Sequence, residues 1–170
     1  MDIVCLGLNH QTAPVQIREL FAVSESKLGE EAARICKVEG IEESVVLSTC
    51  NRTEYYAAVE DCTRASDHLR AFMQEHAGES LRTEHLYEKN RGEAARHLCR
   101  VVSGIDSMVL GETEIFGQVK KAYQAALKSG TTSRSLNKLF QKAFGIGKKV
   151  RTHTGIQEGQ TSVGLSLIHI

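Results

Sequence analysis

The 170-residue chain has no tryptophan and a single proline, Pro14. Proline breaks helices, so its scarcity leaves long stretches free to be helical. No apolar run approaches the roughly 18 residues that a membrane-spanning helix needs. The opening Met-Asp-Ile-Val lacks the basic start of a secretory signal. These absences point to the cytosol and to no membrane partner. Cysteine is present but poorly placed for cross-linking: Cys5, Cys36, Cys50, Cys62 and Cys99 are odd in number, and none stands in a C-x-x-C pair. That argues against a disulfide framework and a four-thiolate zinc site, and no metal is expected. Free cysteines mostly pack as small apolar side chains, which is the expectation for four of the five.

Negative charge is missing locally. The whole chain balances 21 Lys and Arg against 21 Asp and Glu. Residues 115–157 hold no acid, yet they carry Lys120, Lys121, Lys128, Arg134, Lys138, Lys142, Lys148, Lys149 and Arg151. The remainder is correspondingly acidic. A one-signed segment either meets a polyanion or forms a solvated helix surface, and charge alone leaves both open.

What is there suits one globular domain with a core that needs no staples. Residues 3–8 (IVCLGL) read as a buried strand, and residues 9–14 as a turn. Ser24 is placed to cap a helix reaching about Val38, with Gly40 at its exit. Residues 44–48 (SVVLS) and 54–59 (EYYAAV) predict two more strands, and residues 49–53 between them are short enough for a hairpin turn. Helices are expected over 66–76, 81–87, 92–102 and 120–128, with Gly111 and Gly117 punctuating the approach to the last of these. A long helix begins near Ser133, with Leu136, Leu139, Phe140, Ala143 and Phe144 on its apolar face. Strands in the first third and helices afterwards predict an α+β fold, a small sandwich-like α/β layer followed by a helical subdomain.

Among residues able to do chemistry, Cys50 is set apart by its surroundings. It sits at a strand end among small polar residues, two positions before Arg52. A free thiol is only a few per cent ionised at neutral pH, so a nucleophilic role needs help. Arg52 can supply it, or can bind a carboxylate bidentately. A buried, inert thiol remains the alternative. His97 is expected to face away from Leu98 and Val101, as a structural histidine or as a partner of the thiol. His10 reads as a turn-stabilising residue. Gly145-Ile146-Gly147 has neither a third glycine nor a preceding strand and is rejected as a dinucleotide site.

Several blocks, taken in order, resemble glutamyl-tRNA reductase. They begin with Gly7-Leu8-Asn9-His10-Gln11-Thr12-Ala13-Pro14-Val15, then Arg18-Glu19. Val45-Val46-Leu47-Ser48-Thr49-Cys50-Asn51-Arg52-Thr53-Glu54 resembles the family's nucleophile segment. His97-Leu98, Arg100-Val101, Ser103-Gly104, Asp106-Ser107-Met108-Val109-Leu110-Gly111-Glu112, Gly117-Gln118-Val119-Lys120 and Leu139-Phe140-Gln141-Lys142-Ala143-Phe144 follow, and Lys149-Val150-Arg151-Thr152 and Ser162-Val163 close the series.

The resemblance implies NADPH-dependent reduction of glutamyl-tRNA(Glu) to glutamate-1-semialdehyde through a cysteine thioester, the first committed step of tetrapyrrole synthesis. It implies Cys50 as nucleophile and His97 as an acid-base or orienting group. Thr49, Asn51, Arg52, Ser107, Glu112, Thr113, Glu114 and Gln118 match substrate-binding positions, with Arg52 facing a substrate carboxylate. The family commonly reads Glu-Pro-Gln where this chain has Glu112-Thr113-Glu114, so a looser loop with an extra carboxylate is expected. The implied organisation is a catalytic, glutamate-recognising domain over residues 1–155. Residues 156–170 would start a connecting helix, and their last six depart from the family's continuation. The NADPH-binding domain lies outside the chain, so thioester formation and hydrolysis mark the limit of what it can do alone. Homodimerisation through a C-terminal region and hand-over to glutamate-1-semialdehyde aminomutase are the implied partnerships. A tRNA substrate also tilts the basic segment towards a tRNA-facing role. The rival readings are a non-catalytic RNA-binding module and a cysteine hydrolase or acyltransferase of another family.

Overall fold

The computed structural model describes residues 1–157. Four strands, β1 (Asp2–Asn9), β2 (Ile41–Ser48), β3 (Arg52–Val59) and β4 (Tyr87–Asn90), form one antiparallel sheet in the order β2-β3-β1-β4. Every residue of β3 is buried, because it lies inside the sheet with both faces covered. Strand alternation then divides its side chains. Tyr55 joins Phe21, Arg34 and His76 on one face. Tyr56 packs edge-on against Phe140 on the other, at 5.5 Å between ring centres.

Among the described residues six α-helices surround the sheet: α1 (Val15–Leu20), α2 (Leu28–Ile35), α3 (Cys62–Ala77), α4 (Gly92–Val102), α5 (Glu114–Lys128) and α6 (Arg134–His153). The α+β class is as expected. The helices of the second half fold back onto the sheet: α6 reaches it through Phe140 and α4 through His97. The outer edge of β2 is closed by the segment after α5. Ser44 N donates to the Thr131 carbonyl at 2.8 Å, and the Thr131 hydroxyl donates back to the Ser44 carbonyl at 3.0 Å. Such pairing blunts the edge at Ser44, where an unpaired strand would otherwise offer a template for aggregation.

Some boundaries differ from the sequence reading. The helix expected over 81–87 is a short 3-10 turn, Thr83–His85, followed by β4. Tyr87 to Asn90 has no alternating apolar pattern; it becomes a strand because β1 offers an edge, pairing Gly7 with Tyr87 and Val4 with Asn90. Gly117 does not punctuate anything, since α5 runs through it from Glu114. Ser24 precedes a 3-10 turn, and its hydroxyl makes no capping bond. Helix α1 was not anticipated. The expected connecting helix from residue 156 lies, beyond Gln157, outside the described residues.

The start of α6 has a cap from far away in sequence. Its N-terminal amides, left unpaired by helix geometry, donate to the buried Glu43 carboxylate: Ser133 N at 2.8 Å, Ser135 N at 3.0 Å and Leu136 N at 2.9 Å. An anion at a helix N-terminus is also favoured by the helix dipole. This fixes the start of α6 against the beginning of β2.

Candidate active site

The turn between β2 and β3 is built by its own side chains. Thr49 N donates to the Arg52 carbonyl at 2.8 Å, and the Thr49 hydroxyl accepts from the amides of Asn51 and Arg52, both at 3.2 Å. The segment after β1 braces it from outside: His10 N donates to the Asn51 carbonyl at 2.9 Å, and the Arg18 guanidinium donates to the Cys50 carbonyl. Cys50 stands exposed at the apex of this held turn. Cys5 and Cys62 are buried, Cys36 and Cys99 half-buried, and burial pushes all four of these thiols up.

Beside Cys50 lies a cleft of about 10 Å³, lined by Thr49, Cys50, Asn51, Arg52, Ser107, Met108, Glu112, Ile115 and Gln118. Seven residues singled out from the sequence therefore meet: Thr49, Cys50, Asn51, Arg52, Ser107, Glu112 and Gln118. Three do not line it. Thr113 and Glu114 are exposed at the start of α5, and His97 is buried elsewhere. The far wall is the segment 104–112. Gly104 and Gly111 both take left-handed backbone, at φ 77° and 80°, and Gly111 N donates to the Gly104 carbonyl at 2.9 Å. A side chain at Gly104 would strike the Gly111 backbone at 3.1 Å, so the loop closes only on glycine. Glu112 feels burial and the neighbouring Glu114 carboxylate, which together push its carboxyl above the ordinary range.

Beneath the turn sits a buried charge network centred on Glu54, which the sequence reading did not single out. Strand alternation puts Arg52, Glu54 and Tyr56 on one face, and that spacing was the available signal. The Glu54 carboxylate is fully buried. It accepts from Arg52 at 2.8 Å, Tyr56 at 2.6 Å, Tyr87 at 2.5 Å and His97 Nε2 at 2.7 Å. Burial pushes this carboxyl up, but the His97 hydrogen bond, the Arg52 and His97 charges and the Tyr56 hydroxyl outweigh burial and hold it far below the ordinary range. Gly7 makes room for it, because a Cβ there would lie 2.9 Å from Glu54 Cγ.

Arg52 is likewise only 2% exposed. Its guanidinium contacts Glu54 and, at 3.3 Å, Asp106 Oδ2, and it also donates to the Asp106 carbonyl. A carboxylate arriving at Arg52 thus finds Asp106 already there. Asp106 also lies 3.9 Å from His97 Nδ1 and 4.0 Å from Arg100.

His97 corrects the expectation that it points away from the apolar face. It is 8% exposed and shares that face with Ala94, Leu98 and Val101, a three-and-four spacing that carries it onto the sheet. It lines a neighbouring cleft of about 210 Å³ with Asn9, Gln11, Thr12, Tyr87, Lys89 and Asp106. Its link to the Cys50 turn runs through Glu54 and Arg52.

Cys5, Glu54 and His97 come close enough to hold a cation, with ligand atoms within 4.8 Å. The donor set fits a hydrogen-bonded ion pair better, since Glu54 already receives four donors, one of them a guanidinium. Among the described residues no strand leads through a glycine-rich turn into a helix. No helix among them is long and apolar enough to cross a membrane.

A family model described as glutamyl-tRNAGlu reductase, N-terminal domain, matches residues 6–154. A glutamyl-tRNA reductase of Akkermansia muciniphila is 55% identical over 96% of this chain and 48% of its own length. One from Desulforudis audaxviator is 44% identical over 100% of this chain and 38% of its own. The solved structure of glutamyl-tRNA reductase from Methanopyrus kandleri superposes with a TM-score of 0.79 at 34% identity, covering 98% of this chain and 38% of that one. The chain spans less than half the length of these relatives.

Proposed function

Because the chain belongs to the glutamyl-tRNA reductase family and carries its N-terminal domain, we propose that it takes the glutamyl group from charged glutamate tRNA onto the Cys50 sulfur. The Cys50 sulfur attacks the ester carbonyl carbon. A carbon–sulfur bond forms, the bond to the tRNA ribose oxygen breaks, and the thiol proton balances the leaving hydroxyl. Covalent catalysis of this kind divides one hard step into two easier ones.

One observation carries the reading: the exposed thiol in the chain stands on a braced turn beside a polar cleft, while the other four are buried or half-buried. Thr49, Asn51, Ser107 and Gln118 offer the cleft's neutral hydrogen-bonding groups, and Arg52 offers its cation. A cleft of about 10 Å³ holds one water at most. Seating a glutamyl side chain therefore requires the 104–112 segment to move and Asp106 to yield Arg52. Glu54 and His97 act as positioning residues, holding Arg52 from below.

When bound, NADPH would supply the hydride needed to take such a thioester to glutamate-1-semialdehyde. No step of this chain is routed through that cofactor, since no strand among the described residues leads through a glycine-rich turn into a helix. Alone, the chain forms the thioester and loses it to water.

Intact-mass spectrometry after mixing the chain with glutamyl-tRNA tests this. The expected result is a glutamyl adduct that maps to Cys50 and is missing from Cys50→Ser. Equal deacylation by Cys50→Ser would end the reading. RNA binding with no adduct at all would favour a non-catalytic RNA-binding module.

A further inference from the structure

The fold sorts the basic residues of the acid-free segment. Arg151 turns inward, its guanidinium bonded to the carbonyls of Val102, Glu112 and Thr113 and lying 5.3 Å over the Phe116 ring. Lys121 pairs with Glu25 at 2.9 Å. Arg134, Lys138, Lys142, Lys148 and Lys149 are all exposed on α6. Among the described residues none of these five makes an ion pair.

Helix α6 buries Leu136, Phe140, Ala143 and Gly147. At about 100° per residue, the five cations fall within an arc of about 120° opposite that buried face. They extend about 22 Å along the axis. The helix starts on Glu43, near the beginning of β2, and ends where Arg151 grips the loop that walls the Cys50 cleft. Strand β2 likewise starts near Glu43 and ends at the Cys50 turn. The row of cations therefore leads towards the nucleophile.

We propose that the outer face of α6 carries the sugar-phosphate backbone of the tRNA acceptor arm and brings its esterified 3′ end to Cys50. This rests on the function proposed above. A rigid rod with repeated cations suits a regular polyanion better than a single carboxylate, and phosphate contacts fix orientation without reading sequence. The chain has formal net charge +0, so any attraction comes from the row and not from the molecule as a whole. The apolar side of α6 is spent on the core, which leaves it no apolar face to insert into a bilayer.

The test measures binding of uncharged glutamate tRNA across a salt series, on a Cys50→Ser background so that no thioester contributes. Changing Lys138, Lys142 and Lys149 together to Gln is expected to weaken binding about tenfold or more at low salt. The slope of log affinity against log salt should fall by about 2 to 3, at about 0.7–0.9 per phosphate contact. A charge-matched change of Lys27, Lys37 and Arg82 should leave both quantities in place. Parent-like affinity and slope in the α6 variant would overturn the proposal, as would binding to anionic vesicles but not to tRNA. The adduct assay on the unmutated chain decides the underlying reading separately: Cys50 acylation together with parent-like tRNA binding by the α6 variant refutes the track alone.

Discussion

Replacing Glu54 with Gln keeps the shape of the buried centre and removes its charge. Arg52 and Glu54 are 2% and 0% exposed. Breaking such a pair from one side costs about 3–5 kcal/mol, because the remaining charge stays buried. Asp106 stays 3.3 Å from Arg52, which argues for the lower end. Against that, the amide aims N–H groups at some of the four donors that now point at a carboxylate, and each unpaired buried donor costs about 1–3 kcal/mol. With a urea m-value of about 2 kcal/mol/M, the midpoint should fall by about 1.5–2.5 M. The assay is urea unfolding at pH 7.5, followed by circular dichroism. The acid side adds a sign. Glu54 is held below its ordinary range in the fold, so its contribution is fully present above the unfolded value of about 4.3 and is lost as pH falls towards the folded one. The gap between parent and variant should therefore narrow below about pH 4. A midpoint shift under about 0.5 M at pH 7.5, or a gap that widens in acid, would refute the account of this network.

Four further outcomes follow from the geometry. Glu43→Ala strips three amides of their cap and should cost about 1–3 kcal/mol in thermal or urea unfolding; an unchanged midpoint would mean that α6 starts without Glu43. Gly147→Ala gains up to about 1 kcal/mol of helix propensity. Its Cβ, however, would sit 2.6 Å from Val102 Cγ1, and overpacking of about 1–3 kcal/mol should leave the variant less stable. Asp106→Asn relieves Arg52 of a competing carboxylate in a partly exposed pair worth about 1 kcal/mol. The KM for glutamyl-tRNA in Cys50 acylation should then fall about fivefold at an unchanged maximal rate; a raised KM would show that Asp106 helps to hold substrate. Limited alkylation near neutral pH, read by peptide mapping, should label Cys50 first, and preferential labelling of Cys36 or Cys99 would contradict their half-burial beside an exposed Cys50.

Much of the scaffold was legible from short-range patterns. The strands over 44–48 and 54–59 announce themselves through β-branched and aromatic runs, and the polar residues between them could only be a turn. Helix α4 was legible to its ends, Gly92–Val102, because its apolar spacing is regular. The cleft was partly legible too, since Cys50 and its neighbours share one segment. What escaped was long-range. Strand β4 exists because β1 has a free edge, and α6 is capped by a residue 93 positions from Leu136. The Glu54 centre joins β3, β4 and α4, and no local window contains all three.

By itself the sequence determined the family, the α+β class, the nucleophile candidate and the acid-free segment, since each is written in contiguous residues or their periodicity. Only the tertiary structure decided that Arg52 is buried between two carboxylates, that His97 reaches the Cys50 turn through Glu54, and that five of the nine cations form one exposed row. Those facts depend on which side chains meet after distant segments pack. A buried charge stays only where another segment supplies its partner, so its place is set by the assembled fold.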